Sequence, residues 1–306
     1  MRHLCASLFL LICAVGLTSC SDVRPFTSIA STSTVPSPNH VFDSGSAYQY
    51  VMAQTNLGAR PTGSKEGWKT GDYIIEQIKQ SGWQVEEQVF EYKGVKARNI
   101  IGRQGKGLVT IIGAHYDTRR QADQDPDLLK RTQPVIGAND GASGVAVLLE
   151  LAHTLDTARA GREIWLTFFD AEDNEGLDGW EWLVGSTYMA QNLGVMPAEM
   201  ILLDMVGGAN QQLFWDYNSD PHLNKSIWKK AAELGFTQVF IPQHKWSIID
   251  DHIPFIHRGI PSTVLIDFDY PYWHTTHDTI DKISSRSLEC VGRTIKAWLE
   301  KTSLTE

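Results

Sequence analysis

The chain has 306 residues, of which 42% are hydrophobic and 21% are charged. These proportions are typical of a soluble globular protein and suit one large domain. The net charge of −9, with no run of lysine and arginine, argues against a nucleic-acid partner. No apolar run reaches the length of a transmembrane helix, and the longest one lies near the N-terminus.

The first residues, MRHLCASLFLLICAVGLTSC, predict a secretory signal. A basic start precedes an apolar core from Leu8 to Leu17, and small residues lead to Cys20. The ending LTSC resembles the lipobox of bacterial lipoproteins, in which the cysteine is lipidated and becomes the first residue of the mature chain. We therefore predict a signal peptide over residues 1–19 and lipidation at Cys20. An ordinary signal peptide that contains a cysteine is the alternative.

The predicted location follows from this signal. We expect an exported protein that is lipid-anchored to the bacterial cell envelope and meets the membrane only through Cys20. Ser21 implies sorting to the outer membrane in a Gram-negative cell. Residues 20–40 are rich in serine, threonine and proline, which predicts a flexible tether before a folded domain over 41–306. That domain contains one cysteine, Cys290, so we expect no disulfide within it.

Helical and strand patterns alternate along the folded part. The predicted helices cover about 43–56, 68–81, 140–155, 182–192, 220–235 and 284–301. The predicted strands cover about 83–92, 97–104, 108–117, 164–169, 200–207, 212–217 and 262–268. Continuous apolar strands between helices indicate a mostly parallel, twisted mixed sheet with helices on both faces. The predicted fold class is therefore α/β, with a single domain.

Carboxylate and imidazole side chains follow the ends of five predicted strands. They are His115, Asp117, Asp140, Glu172, Asp173, Asp204 and His274. Chemistry in such sheets gathers beyond the carboxyl ends of the strands. Oxygen and nitrogen ligands without thiolates suit zinc in a hydrolytic site, and manganese or cobalt less often. A cation would also neutralise the four carboxylates between Asp170 and Glu175, which would otherwise repel one another.

Several competing chemistries lack their sequence patterns. The sequence has no Gly-x-Ser-x-Gly nucleophile elbow, because GASGV has no second glycine at the required place. It has no His-Glu-x-x-His motif, and no Walker loop or dinucleotide-binding fingerprint follows a predicted strand. Cys290 lies on a predicted helix near the end of the chain, where packing is the expected role.

Six motifs in order resemble those of the co-catalytic zinc aminopeptidases and their relatives, the zinc glutaminyl cyclases. They are GAHYDTR, IGANDGASGVAVLLELA, FFDAEDNEG, LLDMVGG, DDHIPFIHRGIP and WHTTHDT. The resemblance covers about residues 59–299. It implies a zinc-exopeptidase-like fold and a zinc-dependent reaction at the free N-termini of peptides or proteins, which are the expected partners.

The resemblance assigns roles to the residues at the strand ends. Asp140, Asp173 and His274 correspond to the ligands of the zinc ion that both branches share. Glu172 corresponds to the general base. Much of the family has glutamate where this chain has Asp173. Because the shorter carboxylate still binds zinc, we interpret it as a variant ligand.

Other corresponding residues separate the two branches. His115 and Asp204 correspond to ligands of a second zinc ion, so the resemblance implies one zinc in a cyclase and two in an aminopeptidase. Asp117 corresponds to the carboxylate that orients His115. DDHIPFIHRGIP is close to the cyclase version, in which Asp250 hydrogen-bonds to the carboxylate of Asp204. A shared proton would weaken Asp204 as a metal ligand, and Glu172, Asp204 and Asp250 are then the predicted catalytic carboxylates.

Tryptophans near two of the motifs are candidates for the substrate pocket. Trp273 resembles the tryptophan that walls this pocket in cyclases, although a packing role is the alternative. LDGWEWLVGS carries Trp180 and Trp182, of which we prefer Trp180 as a pocket residue. The polar segment RRQADQDPDLLKRTQ resembles bacterial cyclase-like proteins, with an ordinary surface loop as the alternative.

These features predict a zinc-dependent glutaminyl-peptide cyclotransferase, which converts N-terminal Gln to pyroglutamate and releases ammonia. A zinc aminopeptidase is the alternative, because NDGASG and HTTHDT fit it equally well. A third possibility is a non-catalytic lipoprotein that binds zinc or peptides. The retained base, Glu172, argues against it.

Overall fold

The computed structural model describes residues 41–300. The predicted signal peptide, Cys20 and the tether over 20–40 lie outside the described residues, so those assignments stay predictions. Within the described range, no helix has the length and apolar character needed to cross a membrane.

The described residues form helices and strands at most of the predicted places. The helices are α1 (Ser44–Leu57), α2 (Lys65–Gln80), α3 (Ala142–Thr154), α4 (Thr157–Ala160), α5 (Val184–Gln191), α6 (Pro221–Glu233), α7 (Ile253–His257) and α8 (Ser285–Leu299). The strands are β1 (Gln84–Tyr92), β2 (Val95–Gly105), β3 (Val109–His115), β4 (Glu163–Phe169), β5 (Glu199–Asp204), β6 (Leu213–Asp216), β7 (Phe240–Trp246) and β8 (Ser262–Ile266).

The main sheet has six strands in the order β1-β2-β4-β3-β5-β8. Strands β4, β3, β5 and β8 pair in parallel, and β1 and β2 extend the sheet antiparallel at one edge. Strands β6 and β7 form a separate two-stranded parallel sheet. The predicted mixed, mostly parallel sheet is therefore confirmed.

Helices cover both faces of the sheet, as predicted. One hydrophobic cluster joins it to α1, α2, α3, α6 and α8, and another cluster contains residues of α5 and α7. Helix α3 is buried along almost its whole length. Its Gly144 lies so close to β5 that a Cβ atom there would come within 2.2 Å of the Leu203 carbonyl oxygen. This close packing fixes the start of α3, and with it Asp140, against the end of β5.

Candidate metal centre

The carboxyl ends of the four parallel strands meet at one edge of the sheet and carry the predicted site residues. His115 ends β3 and pairs in register with Phe169, the last residue of β4. Asp204 ends β5 and pairs with Ile266, the last residue of β8. The segments that follow β3, β4 and β8 bring in the remaining side chains. The predicted convergence at this edge is therefore observed.

Two groups of three side chains lie close enough to hold a cation each. His115, Asp140 and Asp204 offer one ligand atom each within 4.8 Å of one another, and so do Asp140, Asp173 and His274. In the first group, His115 Nε2 lies 3.1 Å from Asp140 Oδ1 and 3.2 Å from Asp204 Oδ1. In the second, His274 Nε2 lies 2.9 Å from Asp173 Oδ1 and 3.7 Å from Asp140 Oδ2. Asp140 belongs to both groups.

The buried oxygen atoms of this cluster fit a metal ion. Asp140 Oδ2 and Asp173 Oδ2 are buried and have no hydrogen-bond partner among the described residues. Burial, together with the charge of the neighbouring Asp140 and against the opposing effect of His274, raises the pKa of Asp173 to about 6. Burying so many carboxylates together is costly unless a cation compensates them. Oxygen and imidazole donors in groups of three, which leave a position open, match a catalytic zinc site.

Asp117 connects His115 to the turn after β4. Its Oδ1 lies 3.6 Å from His115 Nδ1, on the side of the ring away from the cluster. The same carboxylate accepts hydrogen bonds from the backbone N–H groups of Glu172 at 3.1 Å and Asp173 at 3.2 Å. Asp117 therefore lies where it can orient His115, and it also fixes the turn that presents Glu172.

Glu172 lies beside the cluster and lines the cavity that opens onto it. Its Oε2 is 3.9 Å from His115 Nδ1, and its side chain is 13% exposed. Burial raises the pKa of Glu172 well above its ordinary value in spite of the nearby His115, and the charges of Asp173 and Asp250 add to the increase. A carboxyl group with a raised pKa can both accept and release a proton near neutral pH.

Asp250 is a second buried carboxyl group facing the same space. Its Oδ1 accepts the backbone N–H of Asp251 at 2.6 Å, while its Oδ2 has no hydrogen-bond partner among residues 41–300. Burial raises its pKa well above the ordinary value, and the charge of Asp204 is the next cause. The structure shows electrostatic repulsion between the carboxyl groups of Asp250 and Asp204.

A cavity of about 180 Å³ opens onto these carboxylates and has largely apolar walls. Trp273 lines it and stacks on the imidazole of His274, with ring centroids 3.9 Å apart. On sequence alone we prefer Trp180 over Trp182 as a pocket residue. The structure corrects this preference, because Trp182 is the one that lines the cavity. Trp180 instead packs edge-on against Tyr92 at 5.1 Å, over the antiparallel edge of the sheet.

Sequence reasoning missed other residues of the site. Phe268, Ile248 and Ile249 also line the cavity. Each lies near a recognised motif in the sequence, and this proximity was the available signal that they belong to the site. Asp278, the one acidic residue of WHTTHDT, accepts hydrogen bonds from the backbone N–H groups of Asn139 and Asp140 at 2.9 and 3.0 Å. It thereby holds the backbone of the shared ligand.

Comparisons with known proteins agree with this geometry. The model of peptidase family M28 matches residues 98–299. A solved structure described as Porphyromonas gingivalis glutaminyl cyclase is 34% identical, with a TM-score of 0.79, and the match covers 85% of this chain and 99% of that one. A Bacteroides thetaiotaomicron structure described as a leucine aminopeptidase precursor is 36% identical, with a TM-score of 0.80 and coverage of 88% and 99%.

A curated relative also matches part of the chain. The glutaminyl-peptide cyclotransferase-like protein of Bos taurus is 27% identical over 225 residues, which are 61% of this chain. The chain spans about half the length of that protein, since the match covers 55% of it.

Proposed function

Because the chain belongs to peptidase family M28, we propose that it is a zinc-dependent glutaminyl-peptide cyclotransferase. It would convert the N-terminal Gln of peptides or proteins to pyroglutamate and release ammonia. Relatives described as cyclases support this proposal. The observation that carries it is the small cavity in which two tryptophans, Trp182 and Trp273, face the carboxyl groups of Glu172 and Asp250.

Those apolar walls favour cyclisation over hydrolysis. In cyclisation the α-amino nitrogen of the substrate is the nucleophile, so water is a competitor to be excluded. Trp182 and Trp273 would hold the Gln side chain in a folded conformation, with its amide near its own amino group. In hydrolysis the cavity would have to admit and position a water molecule instead.

Asp140, Asp173 and His274 would hold one zinc ion. Bound there, zinc supplies a Lewis acid for the γ-carbonyl group of the substrate. We choose this set of three ligands because His274 and Asp173 line the cavity beside Glu172.

Two carboxyl groups would serve the reaction: one transfers a proton between the reacting nitrogens, and the other donates a hydrogen bond. The α-amino nitrogen forms a bond to the side-chain carbonyl carbon, and the bond from that carbon to the amide nitrogen breaks. Glu172 would take a proton from the attacking nitrogen and return it to the departing nitrogen, which leaves as ammonia. Asp250, with its raised pKa, would stay protonated and donate a hydrogen bond within the cavity.

A zinc aminopeptidase is the second candidate, because a specific observation favours it. The group of His115, Asp140 and Asp204 is geometrically complete and could hold a second cation. A relative described as a leucine aminopeptidase precursor points the same way. In that case Glu172 would take a proton from the attacking water.

Paired substrates test the proposal. We expect the purified, zinc-loaded protein to release ammonia from a Gln-initiated peptide and no free leucine from a Leu-initiated peptide of otherwise identical sequence. The two products are measured in parallel by a coupled ammonia assay and by chromatography. A Glu-initiated peptide is the matched control, because it has no amide to lose as ammonia. Free leucine without ammonia would identify an aminopeptidase, and neither product would favour the non-catalytic alternative.

A further inference from the structure

The segment between β3 and α3 that begins RRQADQDPDLLKRTQ is only partly a surface loop. Its middle is exposed, with Leu128 and Leu129 at 70% and 88% exposure. Its first part is partly buried, with Arg119 and Asp125 buried and Asp123 partly exposed, and it reaches the candidate metal centre. We infer that Asp123 and Arg119 are positioning residues that fix His274 in the orientation needed to bind a metal ion together with Asp173.

Asp123 lies behind the imidazole of His274. Its Oδ1 is 3.4 Å from His274 Nδ1, which is ion-pair distance without hydrogen-bond geometry, while His274 Nε2 faces Asp173 on the other side of the ring. A metal-binding histidine must keep the proton on the nitrogen that faces away from the metal. A carboxylate at that nitrogen selects this tautomer, sets the plane of the ring and raises its basicity.

Arg119 couples Asp123 to the other ligand. Its Nε and Nη2 donate to the two oxygens of Asp123 at 3.2 and 2.8 Å, so the carboxylate is held in a bidentate pair. Its remaining nitrogen, Nη1, donates to the carbonyl oxygen of Asp173 at 3.3 Å and lies 3.7 Å from Asp173 Oδ1. A single buried guanidinium group therefore fixes the distance between the partner of His274 and the backbone of Asp173.

The backbone of the same segment holds the loop that carries His274. The N–H of Gln124 donates to the carbonyl oxygen of His274 at 3.2 Å. Asp125 Oδ2 accepts the backbone N–H of Thr276 at 2.9 Å and its hydroxyl at 2.6 Å. Three consecutive residues, 123–125, thus contact His274 and Thr276.

His274 needs such support because its backbone is strained. Its φ of +52° lies in the left-handed region, which costs a residue other than glycine about 1–2 kcal/mol. A strained conformation persists only where its surroundings hold it. The contacts of residues 123–125 with the loop of His274, and the Trp273 ring stacked on its imidazole, provide this support.

The inference rests on the proposed zinc site, but it does not depend on which reaction occurs there. Its test is the zinc affinity of the metal-free full chain, measured by competition with a chromogenic chelator. We expect Asp123→Ala and Asp123→Asn to weaken zinc binding by about 10–100-fold, the usual effect of removing the carboxylate behind a metal-binding histidine. Arg119→Gln should weaken it in the same direction, because Asp123 would lose its bidentate partner.

Asp127→Asn is the matched control for charge and for the segment. The Asp127 side chain accepts the backbone N–H of Leu129 within the segment, and asparagine can replace it in that role. We expect its zinc affinity to equal that of the unmodified chain. The metal-free Asp123→Asn and Asp127→Asn proteins should unfold at the same temperature, because the Asp123 side chain is partly exposed, at 31%.

Equal zinc affinity in Asp123→Asn and Asp127→Asn would overturn the inference, whatever the activity. If Asp123→Ala is less stable without metal, the zinc affinity of Asp123→Asn decides whether the inference holds, because asparagine keeps the size of the side chain. At saturating zinc the Asp123 variants should recover most of their activity, which a loss of global structure would not allow. An unmodified chain that binds no zinc would refute the proposed metal site and the inference together, whereas tight zinc binding without cyclase activity would refute only the proposed reaction.

Discussion

Replacing Glu172 with glutamine should lower kcat for ammonia release by about 10²–10⁴-fold and leave zinc binding intact. This is the range expected for the loss of a general acid–base group. Glutamine keeps the size of the side chain but cannot carry a proton from the attacking nitrogen to the departing one. Because Glu172 belongs to neither group of candidate metal ligands, the metal content of the variant should match that of the unmodified chain.

The measurement is a steady-state assay with a Gln-initiated peptide, together with zinc analysis of the same samples. Glu175→Gln is the matched control, since Glu175 is an exposed residue of the same turn and the same charge is removed. Its kcat should remain within about twofold of the unmodified value. Unchanged turnover in Glu172→Gln would show that another group moves the proton, with Asp250 as the next candidate.

Replacing Asp140 with asparagine should abolish tight zinc binding and activity together. Asp140 supplies an oxygen to both candidate groups, so its loss removes a ligand whichever group is filled. We expect the zinc affinity to fall by more than the 10–100-fold caused by changes behind the ligands. The local backbone should persist, because Asp278 would still accept the N–H groups of residues 139 and 140.

Zinc content after dialysis, measured by atomic absorption, gives the readout. Asp220→Asn is a suitable control, because Asp220 caps α6 and asparagine caps a helix about equally well. It changes the net charge by the same amount and should keep its zinc. An Asp140→Asn protein that retains zinc at the level of this control would place the ion elsewhere.

Most of the fold could be predicted because the apolar runs that mark buried strands and the residues that mark helix starts lie within the elements themselves. The core strands are continuous apolar runs, and α6 begins as Asp220 and Pro221 predict. Strand β7 was missed because FIPQHKW contains Pro242 and polar residues, which argue against a strand. Helix α7 was missed because it spans only Ile253–His257, and its buried Phe255 packs against Phe169, which belongs to a distant strand.

The convergence of the candidate metal ligands could be predicted for a different reason. Parallel strands end at the same edge, so residues far apart in sequence can be placed together without knowing the loops. The same reasoning could not decide which of the two tryptophans lines the cavity. Trp180 and Trp182 are two residues apart in an irregular segment where Asp178, Gly179 and Leu183 all have positive φ. The direction of each side chain there depends on the loop conformation, which residue patterns do not determine.

The role of Asp123 was beyond sequence reasoning for a related cause. It lies in a polar segment with no periodicity, and its significance comes from contacts with Arg119 and with His274, which is 151 residues away. A polar segment that contacts a site and one that is fully solvated have the same composition. The two kinds of segment can be told apart only from the structure, in which the loop after β8 contacts this segment.

The position of the bound ion tests the central claim most directly. Crystals of the zinc-loaded protein, measured at the zinc absorption edge, would locate it by anomalous scattering. We predict one strong peak in contact with Asp140, Asp173 and His274. The absence of a peak in contact with these three residues would contradict the account, and a second peak of equal height between His115 and Asp204 would favour the aminopeptidase.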